Sequence, residues 1–186
     1  MKKMLIAFFA LALFNSCNNE KKEEKPAEAA AAPAEPAKKM AFDVLDLSAG
    51  DAVLKSAEAF SKKDVDGMLA DYDDNVMFRW SSGDSLVGKQ AVKNYYAGRI
   101  KLIDTLTFGE HIILPIVMND VQAKTVRTGK WILFWTETKV KYKNGKTIMF
   151  WQHSTNHVND AGKVDQVNQF IDRGQIAAAT AGMKVK

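Results

Sequence analysis

The segment KWILFWTETKVKYKNGKTIMFWQHSTNHV, residues 130–158, holds two long runs in which apolar and polar side chains alternate. The runs 130–142 and 146–158 are rich in Trp and Thr, which are typical of strands. Between them lies Asn144-Gly145, the pair favoured in two-residue hairpin turns. The sequence therefore predicts an antiparallel hairpin of two long strands.

One further strand is predicted on each side of this hairpin. Residues 106–118 are mostly apolar, and Pro115 within them indicates a bulge or a sheet edge, because proline cannot donate to a strand ladder. Residues 164–171 follow a turn at Asp160-Ala161-Gly162. We therefore expect a meander of four long strands.

Upstream of the meander, apolar residues recur at helical spacing. Ser48 with Asp51 three residues later resembles a capping box, and Asp64 precedes apolar positions at i, i+3, i+4 and i+7. Residues 75–80 are predicted as a strand and residues 89–103 as a third helix. Three N-terminal helices before a meander predict an α+β fold. The helices cover the concave face of a strongly curved, mixed or antiparallel sheet, which leaves a conical cavity.

The composition fits a globular domain with appendages. The chain has 186 residues, of which 47% are hydrophobic and 26% charged, so wholesale disorder is excluded. Its single cysteine, Cys17, excludes an intrachain disulfide framework and a cysteine-based zinc site. The net charge is +4, and +2 without Lys2 and Lys3, with no basic run between aromatics. We therefore expect no nucleic-acid partner.

The first seventeen residues are typical of a secretory signal. A basic start is followed by apolar residues 4–14 and then by Asn15-Ser16-Cys17. The apolar run is too short to span a bilayer, which needs about 20 residues. The pattern resembles the lipobox of bacterial lipoproteins, in which cleavage leaves an acylated cysteine, here Cys17, at the mature N-terminus. The resemblance implies a signal peptide at 1–16 and a lipid anchor in the cell envelope, on the periplasmic side or in the outer membrane.

Residues 17–39 are predicted to form a tether. Residues 18–39 contain seven Ala, three Pro, five Glu and five Lys, with no aromatic or β-branched residue. Such a segment cannot bury enough apolar surface to offset its ordering entropy. The folded domain is therefore assigned to residues 40–186.

Several motifs in this domain resemble the nuclear transport factor 2-like superfamily. They are DVDGMLA at 64–70, DNV at 74–76, VGKQAVKNYY at 87–96, GKV at 162–164 and FID at 170–172. Their order is similar to that of the SnoaL-like and ketosteroid isomerase-like branches. The resemblance implies a cone-shaped curved sheet, and its members include isomerases, cyclases, dehydratases, epoxide hydrolases and binding or dimerisation modules.

The catalytic positions of the isomerase branch, carried over one at a time, do not keep their groups. The tyrosine of the first helix falls on Ser56, and the proton-transferring aspartate falls on Trp80. The protonated aspartate falls on His153 or on Ser154, depending on hairpin length, and the last-strand aspartate of the epoxide hydrolases falls on Gln169. Ketosteroid isomerase chemistry is therefore not expected.

The remaining candidates for catalysis are His153 as a general base, with Glu137 or Asp172. Asp172 is alternatively a cap of the turn that follows it. His153 and His157 lie four residues apart on a strand, about 13 Å, which is too far to share one metal ion. No metal site and no cofactor are expected.

A pocket for a small hydrophobic molecule is the leading functional prediction. Its expected lining consists of Tyr72, Trp80, Tyr95, Trp135, Ser154 and Gln169. Glu137 shares strand parity with Trp135, so the two point together, either into the pocket or outward onto a dimer face. The alternatives are an isomerase, cyclase or dehydratase that uses His153, and a dimeric protein-interaction module. A homodimer is expected in each case.

Overall fold

The predicted hairpin lies at the centre of one seven-stranded mixed sheet. The computed structural model describes residues 40–120, 124 and 126–184. The sheet order is β1-β4-β5-β6-β7-β2-β3. The strands are β1 (Phe42–Val44), β2 (Tyr72–Trp80), β3 (Ser85–Val87), β4 (Ile103–Met118), β5 (Gly129–Tyr142), β6 (Thr147–Val158) and β7 (Val164–Phe170). The helices are α1 (Asp51–Ser61), α2 (Val65–Met68), α3 (Lys89–Ile100) and α4 (Arg173–Thr180), with a short 3-10 helix at Leu47–Gly50.

The expectation of three N-terminal helices over the sheet is wrong in two respects. The second, α2, is a single turn, capped by Asp64 as predicted, and the chain then enters β2 at Tyr72. A further helix, α4, follows the last strand. The first helix also begins differently, because Asp46 accepts a hydrogen bond from the Ser48 amide and caps the 3-10 turn, whereas α1 has no side-chain cap.

The β5–β6 hairpin has one more turn residue than predicted. The Tyr142 amide donates to the Lys146 carbonyl, and the Gly145 amide donates to the Tyr142 carbonyl. Three residues therefore lie between the paired positions, with Gly145 at a φ of +86°. This is the three-residue hairpin in which a left-handed glycine forms a bulge.

The irregularity in β4 does not lie at Pro115. Pro115 pairs with Ile132 without interruption, and the register between β4 and β5 shifts between Phe108 and His111. β1 pairs with β4 at Met118, Val117 and Ile116, and in the described residues no strand pairs with this edge of β4 between Ile103 and Pro115. Pro115 therefore lies where the described part of the sheet acquires a free edge.

The sheet closes through a parallel pair between distant strands. β2 runs parallel to β7, with Tyr72 opposite Val164 and Trp80 opposite Gln169. All other neighbouring strands are antiparallel. This pairing brings the aromatic end of β2 beside the polar end of β7.

Strand alternation separates an inner face, under the helices, from an outer face. On β5 and β6 the even-numbered residues, among them Phe134 and Ser154, point inward and the odd-numbered residues, among them Trp135 and His153, point outward. On the inner face, α1 packs on Ile132 and Phe134. Among the described residues, no helix is long and apolar enough to cross a membrane. The predicted signal peptide, Cys17 and tether lie outside the described residues.

Candidate functional site

A cavity of about 320 Å³ lies between the helices and the inner face of the sheet. This volume is at the lower end of the range for small-molecule sites, about 300–1,000 Å³. α4 closes one side of it with Ile176, Ala177 and Thr180. Apolar and aromatic side chains make up most of the wall, among them Val53, Ala57, Phe60, Met68, Phe78, Ile103, Leu106, Phe108, Phe134, Val140, Phe150, Val167 and Ile171.

The β5–β6 turn holds α4 in this position. The Asn144 side-chain amide donates to the Ala179 carbonyl at 2.8 Å, and the Lys146 ammonium donates to the Ala178 carbonyl at 3.0 Å. These bonds satisfy carbonyls in the last turn of the helix, where a cation also complements the helix dipole. At the other end of α4, Asp172 accepts from the Gln175 amide.

A chain of hydrogen bonds crosses the wall between β2, β7 and β6. The Trp80 indole donates to Oε1 of Gln169 at 3.0 Å, and the Tyr96 hydroxyl donates to the same atom at 3.2 Å. Nε2 of Gln169 then donates to Oε1 of Gln152 at 3.0 Å. Because an indole can only donate, the orientation of both amides is fixed. The amide nitrogen of Gln152 is therefore the donor left at the end of the chain, on the cavity wall.

Four tyrosines surround the cavity, and burial raises the pKa of three of them. Burial raises the pKa of Tyr72 to about 12, and it raises the pKa of Tyr96 well above 10. Burial also raises the pKa of Tyr142, although the guanidinium of Arg99 beside it acts in the opposite direction. The fourth, Tyr95, packs against Trp80 and Tyr96. The hydroxyls of Tyr72, Tyr96 and Tyr142 therefore stay protonated at neutral pH and do not act as bases there.

Two arginines reach the cavity wall, and their surroundings differ. Arg173 forms an ion pair with Asp84, hydrogen-bonds Ser82 and lies over the Trp80 ring. Arg99 lies near the hydroxyls of Tyr142 and Tyr96. It takes part in none of the ion pairs formed among the described residues.

The cavity wall contains no Asp, Glu or His among the described residues. The same part of the chain holds no group of three or more His, Cys, Asp or Glu able to bind a metal ion. The wall thus supplies hydrogen-bond donors and one unpaired cation, but no group that accepts a proton near neutral pH.

Five of the six predicted pocket residues line the cavity: Tyr72, Trp80, Tyr95, Ser154 and Gln169. The sixth, Trp135, does not, which corrects its assignment to the pocket. It points to the outer face, where its ring stacks on His153 at 4.4 Å between centroids. Strand alternation determines this outcome, because the inward neighbours of Trp135 on β5 are Phe134 and Thr136.

The three predicted catalytic residues are not brought together. His153 lies on the outer face between Trp135 and Phe170, and its Nδ1 is buried without a partner. Burial lowers its pKa. Glu137 shares that face, two residues along β5, while Asp172 caps α4, and its bonds to Gln175 lower its pKa. None of the three lines the cavity.

Sequence reasoning missed the groups that give the cavity its polarity: Arg99, Gln152 and Thr138. Thr138 is 3% exposed, and its hydroxyl has no hydrogen-bond partner in the described part of the chain. Arg99 lies on α3 within the run KQAVKNYYAGRI, three residues after Tyr96. That spacing places both on one helix face and was the available signal. The direction of Gln152, which follows the turn, depends on the hairpin length, for which the sequence favoured two residues. The direction of Thr138 depends on which face of β5 points inward, which the sequence left open.

Comparison with solved structures identifies the fold. An NTF2-like protein of unknown function from Burkholderia pseudomallei is similar with a TM-score of 0.56 and 16% identity, over 72% of this chain and 98% of that one. A candidate polyketide cyclase from Xanthomonas campestris is similar with a TM-score of 0.53 and 16% identity, over 72% of this chain and 96% of that one. A protein with a ketosteroid isomerase-like fold from Catenulispora acidiphila, in complex with trimethylamine, has a TM-score of 0.52 and 9% identity, over 69% of this chain and 91% of that one.

The chain therefore has the α+β fold of nuclear transport factor 2-like proteins, with a mixed seven-stranded sheet. The neighbours are described as an NTF2-like protein, a polyketide cyclase candidate and a protein with a ketosteroid isomerase-like fold, and at 9–16% identity the likeness is one of fold. No protein-family model matches the sequence, and no curated protein matches it.

Proposed function

We propose that this domain binds a small, mostly apolar molecule that carries a hydrogen-bond acceptor. The observation that carries the proposal is the wall of the cavity. Aromatic and aliphatic side chains enclose about 320 Å³, and the free amide of Gln152 is oriented by Gln169 to donate. Such a wall fits a ligand whose surface is apolar except for one or two acceptor atoms.

Binding is favoured over catalysis because the wall lacks a base. Proton abstraction in an apolar site needs a carboxylate or imidazole within hydrogen-bond reach of the substrate. In the described part of the chain the cavity wall has neither, and burial keeps Tyr72 and Tyr96 protonated. The alternative enzyme that uses His153 has no support from the geometry, because His153 stacks on Trp135 on the outer face.

The binding proposal is tested with N-phenyl-1-naphthylamine, an apolar probe whose fluorescence rises in dry sites. We expect the purified protein to bind it, and Ser154→Phe, which adds a ring inside the cavity, to weaken binding at least tenfold. The matched control is Thr155→Phe, because the next residue on β6 points to the opposite face. Equal binding by the two variants, with both folded by circular dichroism, contradicts a ligand site in the cavity.

We also propose that a lipid on Cys17 holds the domain at a membrane surface, with residues 18–39 as a spacer. The support is the sequence pattern of the first seventeen residues. Mass spectrometry of the protein from its own source is expected to show an acylated Cys17 at the N-terminus, and Cys17→Ser is expected to abolish this. A mature chain that retains residues 1–16 contradicts the anchor.

We also propose that two copies of the domain form a homodimer through the outer face of the sheet. Four large apolar side chains on this side are between 49% and 60% exposed: Ile112, Met149, Trp151 and Phe170. Glu137 and Lys139 lie on the same face of β5, so a second copy related by a two-fold axis can place opposite charges together. Exposed apolar area of this kind is typical of a protein interface.

A further inference from the structure

We propose that the ligand of this cavity is a monovalent organic oxyanion, such as a carboxylate, whose charged oxygens bind Arg99. The inference rests on the proposed binding function and narrows it to a chemical class. Under this proposal the cavity prefers an anionic ligand to a neutral hydrocarbon or an amine.

The first observation is that Arg99 has a charge without a partner. The other arginine of the wall, Arg173, is neutralised by Asp84. Arg99 is half-buried at the end of α3, and none of the ion pairs among the described residues includes it. A cation against an apolar wall is costly unless a counter-charge is supplied, and here a bound anion supplies it.

The second observation is that the groups beside Arg99 are hydroxyls, which carry no negative charge. The charge of Arg99 acts to lower the pKa values of Tyr142 and Tyr96, but burial raises both pKa values and keeps the hydroxyls protonated. Because the Tyr96 hydroxyl already donates to Gln169, the donors left for the two oxygens of a carboxylate are the guanidinium of Arg99 and the hydroxyl of Tyr142. A single guanidinium balances a single negative charge, which favours a monoanion over a phosphate dianion.

A third, independent observation is the unpartnered hydroxyl of Thr138. Thr138 lies on the cavity wall, is almost fully buried, and has no bonding partner for its Oγ1 in the described residues. A buried hydroxyl left unpaired is energetically costly, so a ligand atom that bonds it gains affinity. Thr138 is thus a second polar group of the cavity wall, and its hydrogen-bonding capacity is not used by any group in the described part of the chain.

The experiment compares two probes that differ by one charged group. N-phenyl-1-naphthylamine is neutral, and 8-anilinonaphthalene-1-sulfonate is the same ring system with a sulfonate. Fluorescence titration of the full-length protein and of Arg99→Met gives both dissociation constants. We expect Arg99→Met to weaken binding of the sulfonate about tenfold and to change that of the neutral probe less than twofold.

Three control variants keep the outcomes distinct. Arg99→Lys keeps the charge and is expected to retain part of the sulfonate affinity, while Arg79→Met removes a cation from the outer side of β2 and is expected to change nothing. Trp151→Ser shows whether either probe binds the exposed outer face.

If both probes bind in the cavity and Arg99→Met weakens them equally, the anion proposal is overturned and the binding proposal stands. If neither probe is sensitive to Ser154→Phe, the cavity is not the site and both proposals fail. A sulfonate affinity that falls with Arg79→Met as much as with Arg99→Met assigns the effect to overall charge, and it also overturns the anion proposal.

Discussion

Replacing Gln169 with Leu is expected to destabilise the domain, because Gln169 joins three other side chains. Its Oε1 accepts from the Trp80 indole and the Tyr96 hydroxyl, whose residues are 6% and 8% exposed, and its Nε2 donates to Gln152. Gln169→Leu leaves two buried donors without an acceptor, at about 1–3 kcal/mol each. We expect the free energy of unfolding to fall by about 2–5 kcal/mol.

The measurement is urea unfolding followed by circular dichroism, with Gln90→Leu as the control. Gln90 is an exposed glutamine on α3 that bonds only its neighbour Asn94, so its replacement is expected to cost less than about 0.5 kcal/mol. The double variant Trp80→Phe with Gln169→Leu is expected to be less destabilised than the sum of the two single variants, because Phe has no indole donor to leave unpaired.

Strict additivity in this double-mutant cycle, or a loss for Gln169→Leu no larger than that of Gln90→Leu, refutes the reasoning. Either result means that the chain from Trp80 to Gln152 contributes no coupled energy. The orientation of the Gln152 amide would then lose its structural basis, and the predicted preference for an acceptor-bearing ligand would lose its main support.

Three other outcomes are expected. Burial lowers the pKa of His153 below 6.5, so the unfolded state binds the proton more readily and the free energy of unfolding falls as the pH drops below that value. His153→Phe is expected to reduce this dependence of stability on pH, measured by denaturation at several pH values. An unchanged dependence contradicts the prediction. Asn144→Ala removes the bond to the Ala179 carbonyl and is expected to speed hydrogen exchange in α4 while β5 is unchanged; equal exchange rates refute the role of this bond. Trp151→Ser is expected to convert a dimer into a monomer in analytical ultracentrifugation, and a wild-type monomer at micromolar concentration removes the dimer proposal.

The sequence was sufficient for the elements whose pattern is local. The long hairpin, the start of α2 at Asp64 and the turn at residues 160–162 follow from alternation, capping and glycine chemistry. Tertiary pairing accounts for what it missed. β1 is three residues long and forms only because β4 offers its edge, and α4 depends on side chains from a distant turn, Asn144 and Lys146.

The site was predictable in part: Tyr72, Trp80, Tyr95, Ser154 and Gln169 were named from the sequence and line the cavity, whereas Trp135 does not, and Arg99, Gln152 and Thr138 were missed. Trp80 and Tyr72 are recognisable from composition and helix or strand position alone. The inward direction of β6 depends on one residue of turn length, and the sequence favoured the two-residue turn over the three-residue turn that is found. A single residue inverts every assignment on a strand, which is why His153 was a candidate base although Ser154 is the residue that faces the cavity.

The parallel pairing of β2 with β7 has a consequence for the order in which the protein is assembled. Tyr72 and Val164, which face each other in the sheet, are 92 positions apart in the chain. Contacts of such long range form late and slowly, since a large loop must close first. During synthesis β2 can pair early with β3, which follows it closely, but it lacks β7 on its other side until residues 164–170 have been made. A ligand that arrives before that moment meets a chamber that still lacks the wall supplied by β7 and α4, including Gln169.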